Sequence, residues 1–179
     1  MIERAFVLGA GLGTRLRPLT DELPKPLVPI FQKPLITFGF DHLAAAGVTS
    51  LVVNTHHLPE EFAKAFPAGS YRGLPVALTH EPALLETGGG IKNAEPLLGD
   101  EPFVVYSGDL LTDLPLAPLL EEHFRLGNAR PLALRQTRPP APAPFPAGRV
   151  ADPRDRPAPP ARPNSAHRLL VSHDPFRRC

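Results

Sequence analysis

Three glycines and two basic residues near the start of the chain form the pattern most suited to phosphate chemistry. Gly9, Gly11 and Gly13 follow a short apolar run, and glycines allow backbone N–H groups to approach a polyphosphate closely. Arg15 and Lys25 add two positive charges, and the prolines on both sides of the lysine keep that segment extended and stiff. Because phosphoryl transfer depends mainly on positioning and charge stabilisation, this combination predicts a site for that chemistry.

Two other kinds of glycine-rich loop, and a plain turn, compete with this interpretation. A dinucleotide-binding loop, as in a nicotinamide-dependent oxidoreductase, requires glycine at Thr14 and favours an acid near Asn54, at the end of the second strand. A P-loop requires Gly-Lys-Ser/Thr, which this sequence lacks. A plain strand-to-helix turn explains Gly9 and Gly11 but not the two cations, so we favour phosphate binding.

A single aspartate, Asp109, is the carboxylate best placed to act beside this loop. It follows the apolar run from Phe103 to Tyr106, and open α/β sheets bind ligands at the carboxyl ends of such strands. At that position its carboxylate is expected to hold Mg²⁺ between two phosphate groups. Considered alone, a turn-capping role would be favoured by about two to one. The glycine loop upstream reverses those odds.

A second glycine-rich segment, residues 88–90, separates an acid–threonine pair from a predicted helix. It permits the close approach of a ribose or a base, and a flexible turn is the alternative. Glu81 follows the third predicted strand, where an acid is commonly solvated. His56 and His57 are adjacent and point apart on an extended chain, so we expect structural roles rather than a shared metal.

Short apolar runs alternate with stretches of helical periodicity along most of the chain. The predicted strands cover residues 5–8, 50–54, 75–79, 103–106 and 131–135. The predicted helices cover residues 35–46, 59–66, 90–98 and 115–126. This alternation predicts an α/β, Rossmann-like fold in which helices cover both faces of a mostly parallel sheet.

The overall charge and composition argue against several classes of partner. A formal net charge of +1 and a pI of about 8.0 give no strong attraction to nucleic acid or to an anionic membrane. The apolar run at residues 5–8 is too short for a signal-peptide core or a membrane span. The lone Cys179 offers neither an intrachain disulfide nor a metal site. We therefore expect a cytoplasmic protein that binds neither nucleic acid nor membrane.

Four segments, in the same order, resemble the sugar-1-phosphate nucleotidylyltransferases, a family that joins an NTP to a sugar 1-phosphate. GAGLGTRLRPLT (9–20) and PKPLVP (24–29) are similar to the family's N-terminal motif. LETGGGI (85–91) is similar to its base- and ribose-binding loop, and VVYSGD (104–109) to the strand that carries its metal-binding aspartate. The third segment is most similar to that of N-acetylmuramate-1-phosphate uridylyltransferases and mannose-1-phosphate guanylyltransferases.

The resemblance implies a nucleotide-diphospho-sugar transferase fold and a reaction that makes a nucleotide sugar and pyrophosphate from a sugar 1-phosphate and either UTP or GTP. Arg15 and Lys25 would be the catalytic cations, and Asp109 would bind Mg²⁺. The sequence leaves the oligomeric state open, with a homo-oligomer as one of the options. Glu81 would accept hydrogen bonds from the base. The nucleotide-binding residues implied in this way are Gly9, Ala10, Gly11, Gly13, Thr14, Glu81, Thr87, Gly88 and Gly89.

A Pro/Arg/Ala-rich tail, residues 136–179, follows the predicted nucleotide-binding part, residues 1–135. The runs RPPAPAPFP (138–146) and RPAPPARP (156–163) show neither strand nor helix periodicity. We therefore expect the tail to be disordered or non-native and to stay outside the packed core, with residues 169–171 touching the open sheet edge only transiently. A Pro-rich docking segment is the alternative.

The position of the tail also bears on function. In the family that the sequence resembles, the corresponding region provides the sugar pocket, further strands and a second metal-binding aspartate. We therefore expect the sheet to be incomplete on its C-terminal side. A truncated, non-catalytic nucleotide-binding module is accordingly the alternative to an active nucleotidylyltransferase.

Overall fold

The computed structural model describes residues 2–125 and 170–172 of the protein. Its strands are β1 (Arg4–Leu8), β2 (Pro29–Ile30), β3 (Lys33–Pro34), β4 (Ser50–Thr55), β5 (Ser70–Tyr71), β6 (Leu74–His80), β7 (Phe103–Ser107) and β8 (Leu170–Ser172). Its α-helices are α1 (Leu19–Glu22), α2 (Leu35–Ala45), α3 (Pro59–Ala65), α4 (Glu86–Leu98) and α5 (Leu116–Arg125). Two 3₁₀ turns, Thr14–Leu16 and Lys25–Leu27, lie between β1 and β2.

Six of these strands form one sheet in the order β5-β6-β4-β1-β7-β8. The four central strands are parallel to one another, and short antiparallel strands pair at both edges. Strand β1 takes a central place because its apolar run is buried on both faces, which is typical of parallel strands. The prediction of an α/β fold with a mostly parallel sheet is confirmed.

Hydrophobic packing on the two faces of the sheet follows the alternation of side chains along each strand. Ala5 and Val7 of β1 belong to a large core that also contains Phe40 of α2 and Phe62 of α3. Phe6, which lies between them in sequence, belongs to a second core formed with the apolar face of α4. Helices therefore cover both faces of the sheet, as predicted.

The register of the parallel strands places their carboxyl ends at one edge of the sheet. Leu8, the last residue of β1, is in register with Asn54 of β4 on one side and with Ser107 of β7 on the other. Asn54 is in turn in register with Thr79 of β6. The segments that follow these strands therefore start side by side, which is where ligands bind in open α/β sheets.

Helix α4 differs from its prediction, since it starts at Glu86 rather than at residue 90 and includes all three consecutive glycines. Glu81 explains the earlier start, because its carboxylate accepts a hydrogen bond of 3.0 Å from the backbone N–H of Leu85, the N-cap residue. This contact satisfies one of the donors that a helix N-terminus leaves unpaired. The flexible-turn alternative for the three glycines is therefore wrong.

Backbone pairing of β8 with β7 places residues 170–172 at the edge of the sheet. Strand β7 would otherwise expose a row of backbone N–H and C=O groups, and such an edge attracts any available strand. This pairing corrects the expectation that the whole tail stays outside the packed domain, with only transient contact at 169–171. The predicted strand at 131–135 and the rest of the tail lie outside the described residues, so the division at residue 135 stays a prediction.

The longest helix among the described residues is α4, which has 13 residues. No helix in this part of the chain is both long enough and apolar enough to cross a membrane.

Candidate functional site

An open cleft of about 620 Å³ lies beside the carboxyl ends of β1, β4 and β7. Nine of the sequence-predicted site residues are in its lining, namely Ala10, Gly11, Gly13, Thr14, Arg15, Lys25, Glu81, Thr87 and Asp109. Its remaining lining residues are Leu8, Leu12, Leu16, Pro26, Asn54, Leu84, Glu86 and Ser107. Three predicted residues, Gly9, Gly88 and Gly89, are outside the lining. The structure thus brings the two glycine-rich segments, both cations and Asp109 together.

The three glycines of the first loop have three different structural roles. Gly9 lies close to β4, because a Cβ there would be 2.7 Å from the backbone oxygen of Asn54. Gly13 has a left-handed backbone, with φ of 63°, and its carbonyl accepts a 2.9 Å hydrogen bond from Thr20 Oγ1. A Cβ at Gly11 would meet no described atom within 4 Å. The backbone at Gly11 is therefore the part of the loop most open to a ligand.

Arg15 presents an available cation to the cleft. It lies on the exposed 3₁₀ turn Thr14–Leu16, and no ion pair among the described residues includes it. Arg17, by contrast, is paired with Asp21 at 3.1 Å. Because a guanidinium group presents its N–H donors in a planar fork that matches phosphate oxygens, Arg15 is suited to bind a phosphate in the cleft.

Lys25 and Asp109, to which the sequence assigns separate tasks, form an ion pair with each other in the cleft wall. Lys25 Nζ contacts Asp109 Oδ2, and the Ser107 hydroxyl donates to Asp109 Oδ1 at 2.6 Å. Burial raises the pKa of the Asp109 carboxyl, but the hydrogen bonds from Lys25 and Ser107 outweigh this effect and hold the pKa below its usual value of 3.8. Asp109 is therefore ionised at neutral pH and suited to bind a cation.

Glu81 is fully buried, so the alternative of a solvated loop acid is wrong. Its Oε1 accepts a hydrogen bond from Asn54 Nδ2 at 2.7 Å, and its Oε2 accepts one from the Leu85 backbone N–H at 3.0 Å. Asn54 Oδ1 in turn accepts a hydrogen bond from the Gly9 backbone N–H at 2.7 Å. Both carboxylate oxygens are therefore engaged by the protein in the wall of the cleft.

Asn54 and Ser107 are two polar residues of the cleft that the sequence patterns do not predict. Asn54 is 2% exposed at the end of β4, and Ser107 is the last residue of β7. Each follows a run of buried apolar residues on a strand next to β1. A polar side chain that ends such a run, beside a glycine-rich loop, is the signal that would have identified both residues.

Glu86 and Thr87 line the cleft at the start of α4, whereas Gly88 and Gly89 follow them in the helix without lining it. A Cβ at Gly88 would meet nothing described within 4 Å, but one at Gly89 would be 2.8 Å from Leu85 Cβ. Close packing thus accounts for Gly89. Direct contact of Gly88 and Gly89 with a nucleotide stays a prediction.

The two adjacent histidines point to different neighbours. His56 Nδ1 donates to the carbonyl of Glu81 and His57 Nε2 donates to the carbonyl of Thr20, each at 2.7 Å. Nowhere in residues 2–125 or 170–172 are three His, Cys, Asp or Glu side chains grouped so that they could hold a metal ion. Asp109 is an ionised carboxylate in the cleft wall, which is the ligand chemistry that Mg²⁺ prefers, and its binding of Mg²⁺ stays a prediction.

The sequence pattern of the nucleotidyl transferase family matches residues 4–142 of the 179, so the chain belongs to that family. Its relatives confirm the resemblance to sugar-1-phosphate nucleotidylyltransferases. N-acetylmuramate alpha-1-phosphate uridylyltransferase from Neisseria meningitidis is 47% identical over 112 residues, which are 62% of this chain and 48% of that protein. Mannose-1-phosphate guanylyltransferase from Mycobacterium tuberculosis is 40% identical over 119 residues, which are 66% of this chain and 33% of that protein.

Solved structures of related proteins share the fold. A UDP-glucose pyrophosphorylase complexed with UDP-glucose aligns with a TM-score of 0.66 at 22% identity. The alignment covers 77% of this chain and 59% of the pyrophosphorylase chain. HddC from Yersinia pseudotuberculosis, complexed with GMP-PN, aligns with a TM-score of 0.61 at 27% identity. The alignment covers 68% of this chain and 54% of the HddC chain. The chain spans about half the length of the Neisseria relative and about one third of the Mycobacterium relative.

Proposed function

We propose that this chain is the nucleotide-binding part of a sugar-1-phosphate nucleotidylyltransferase. In this reaction a phosphate oxygen of the sugar 1-phosphate forms a bond to the α-phosphorus of the nucleotide. The bond between the α- and β-phosphates breaks, and pyrophosphate leaves. The observation that carries the proposal is the convergence of the 10–14 loop, Arg15, Lys25 and Asp109 on one cleft.

Each part of the cleft has a task in this proposal. The backbone N–H groups of the loop at residues 10–14 would receive the phosphates, with closest approach at Gly11. Arg15 and Lys25 would balance the negative charge that develops on the α-phosphate and on the departing pyrophosphate. Mg²⁺, when bound, supplies further charge neutralisation between phosphates, and Asp109 is the residue that would hold it.

The ion pair between Lys25 and Asp109 favours joint binding of metal and nucleotide. A triphosphate offers Lys25 a more highly charged partner than a single carboxylate. Binding of phosphate to Lys25 alone would leave the Asp109 carboxylate without its counterion beside a negatively charged triphosphate, which is unfavourable. A divalent cation that arrives with the nucleotide provides the replacement.

UTP and GTP are both proposed as substrates. Relatives of this chain include a uridylyltransferase and guanylyltransferases, and the related HddC was crystallised with GMP-PN. The names of those relatives make N-acetylmuramate 1-phosphate and mannose 1-phosphate the first sugar phosphates to test. A cytoplasmic location and a lack of nucleic-acid binding are part of the same proposal, since its substrates are small phosphorylated metabolites.

Pyrophosphate release tests the catalytic form of the proposal. Wild type, Lys25→Ala and Lys64→Ala are incubated with Mg²⁺, UTP or GTP, and each sugar 1-phosphate. Loss of a charge contact to the transition state is expected to slow release by about 10²-fold or more in Lys25→Ala. Lys64 is a matched control because it is exposed and pairs with Glu61 away from the cleft. Equal rates in wild type and Lys25→Ala would show that the role given to Lys25 is wrong.

The second candidate function is nucleotide binding without turnover. It is favoured by the extent of the family match, which stops at residue 142 although the sequence continues to residue 179. Calorimetric titration with Mg²⁺ and UTP or GTP separates the two candidates. Saturable binding with no release of pyrophosphate supports the binding module, and clear turnover rules it out.

A further inference from the structure

A continuous chain of three hydrogen bonds, two of them buried and the third partly buried, connects the first glycine loop to the start of α4. It runs from the Gly9 backbone N–H to Asn54, from Asn54 to Glu81, and from Glu81 to the Leu85 backbone N–H, with donor–acceptor distances of 2.7, 2.7 and 3.0 Å. Asn54 is 2% exposed and Glu81 is fully buried. The two ends of this chain thus belong to the two glycine-rich segments that border the cleft.

The direction of the hydrogen bonds explains why these two residue types are required. The Gly9 backbone N–H can only donate, so it fixes the Asn54 side chain with Oδ1 towards Gly9 and Nδ2 towards Glu81. The Leu85 backbone N–H also can only donate, and it faces the other oxygen of Glu81. Both oxygens at position 81 must therefore be acceptors. A carboxylate meets that requirement, whereas a carboxamide does not.

The surrounding backbone holds the same two residues in place. A Cβ at Gly90 would be 2.6 Å from Glu81 Oε1 and 2.9 Å from Asn54 Nδ2, so α4 packs directly onto the network. The main chain of Glu81 donates to the Thr55 carbonyl at 2.8 Å and accepts from His56 Nδ1 at 2.7 Å. Position 81 is therefore fixed through its backbone and through both side-chain oxygens.

We propose that Asn54 and Glu81 are positioning residues, which set the spacing between the 9–14 loop and the start of α4. The inference rests on the proposed function, in which the first segment receives the phosphates, and on the family resemblance, which implies that the second segment receives the ribose and base. Because both of its carboxylate oxygens are already engaged, Glu81 then acts through the Leu85 backbone and Asn54 rather than by direct contact with the base. Fixed spacing prepares both halves of the site for one nucleotide before it binds.

Exchange of carboxylate and carboxamide groups at positions 54 and 81 tests the proposal, because each substitution keeps the size of the side chain. In Glu81→Gln, the new NH₂ group faces either the Leu85 backbone N–H or Asn54 Nδ2, so two donors face each other in both orientations of the amide. In Asn54→Asp, a carboxylate oxygen replaces the donor that faces Glu81 Oε1, so two acceptors face each other. The double variant N54D/E81Q restores every donor–acceptor pair, since the carboxylate at 54 accepts from Gly9 and from the new amide, whose oxygen accepts from Leu85. The measurements are the Kd for UTP and GTP with Mg²⁺, at a temperature where all variants are folded, and the Tm of each variant.

Each single variant is expected to raise the Kd by about tenfold or more, because a buried polar group loses its partner. The double variant is expected to bind within about threefold of wild type, since coupled neighbours compensate for each other. Lower Tm in the single variants with unchanged Kd would overturn the inference, because the network would then serve stability alone. Weak binding by a folded double variant would also overturn it, because the carboxylate at position 81 would then be needed by the ligand itself.

Two further outcomes are distinguishable. If wild type binds neither UTP nor GTP, the proposed function fails. If wild type binds and Glu81→Gln binds equally well, the function stands and the positioning role fails. If either single variant does not fold, the double variant provides the test. An affinity for nucleotide near that of wild type is expected, because the donor–acceptor pairs are restored. Loss of nucleotide binding by the double variant would contradict the inference.

Discussion

At the scale of single residues, the ion pair between Lys25 and Asp109 makes the free energy of unfolding depend on pH. Because the pKa of Asp109 in the folded protein is lowered, the pair stabilises the protein at pH values above the usual carboxyl pKa of 3.8. That contribution is lost as the pH falls through the lowered pKa. Both side chains are about one-third exposed, so solvent screening keeps the effect small.

Urea unfolding of wild type and Asp109→Asn between pH 7 and acid conditions measures this contribution. Wild type is expected to be more stable at pH 7, and the difference between the two proteins is expected to begin to shrink near pH 3.8 and to disappear once the pH is below the lowered pKa of Asp109. Asp100→Asn, on an exposed turn, serves as the control. A difference that stays constant at all pH values would show that Asp109 stabilises the protein by some other means than its charge.

Gly11 and Gly13 are expected to respond differently to the same small substitution. Gly13→Ala should reduce the free energy of unfolding by roughly 1–2 kcal/mol, because residue 13 has a left-handed backbone and a Cβ there would be 2.9 Å from Thr20 Cγ2. Gly11→Ala should change stability by less than about 0.5 kcal/mol. It should nevertheless weaken nucleotide binding, since the new methyl group enters the open part of the cleft. Urea denaturation and calorimetric titration measure the two effects, and similar stability losses in both variants would contradict this prediction.

Two helical glycines provide a test at the level of packed elements. Gly39 allows α2 to approach β7, because a Cβ there would be 2.8 Å from the ring of Tyr106, which is 1% exposed. Gly39→Ala is therefore expected to lower the free energy of unfolding by roughly 1–3 kcal/mol. Gly88→Ala in α4 is expected to raise it by about 0.5–1 kcal/mol, because the added methyl group meets no described atom within 4 Å. Thermal or urea unfolding should give opposite signs, and a stable Gly39→Ala protein would show that Tyr106 can move aside.

Burial of Tyr106 reinforces that contact between elements. Burial raises the pKa of its hydroxyl to about 12, and the hydroxyl lies 3.1 Å from His42 Nδ1 of α2. The phenol is therefore neutral throughout the range in which phosphoryl-transfer activity would be measured. The α2–β7 contact therefore combines apolar packing with one hydrogen bond between His42 and a phenol that stays neutral.

At the scale of the whole molecule, the antiparallel strand β8 covers an edge that β7 would otherwise expose. A chain that ends at residue 169 lacks β8, whereas a chain that ends at residue 172 keeps it. The shorter chain is expected to associate at lower concentration, because an unpaired edge strand offers backbone donors and acceptors to another copy. Sedimentation of the two chains over a range of concentrations tests this expectation. Identical behaviour would show that β8 does not protect the sheet edge.

Local patterns in the sequence determine the four central strands, most of the helices and the main chemical groups of the cleft. Apolar runs predicted β1, β4, β6 and β7 within one or two residues, since burial on both faces requires continuous apolar sequence. The first glycine loop, both cations and Asp109 were recognisable because their residue types and order along the chain carry the signal. Parallel strand topology then requires that they meet at one edge of the sheet.

Tertiary structure alone decided which of these groups touch. Lys25 and Asp109 are 84 residues apart, Gly9 and Asn54 are 45 apart, and Asn54 and Glu81 are 27 apart. No pattern of local periodicity encodes such pairs, because they depend on strand order and register. The burial of Glu81 and the early start of α4 follow from the same contacts, and so were not predicted.

The hairpin of β2 and β3 shows that local sequence patterns can also fail to predict a structure formed by residues close together in the chain. Its turn residues, Phe31 and Gln32, have positive φ values of 47° and 66°, and Phe31 is 89% exposed. Neither residue type favours that backbone, so composition gives no turn signal. Flanking contacts hold the turn instead, since the Leu35 backbone N–H donates to the Val28 carbonyl at 3.0 Å. Periodicity and residue type thus specified the elements and their chemistry, whereas contacts between distant residues fixed the geometry of the site.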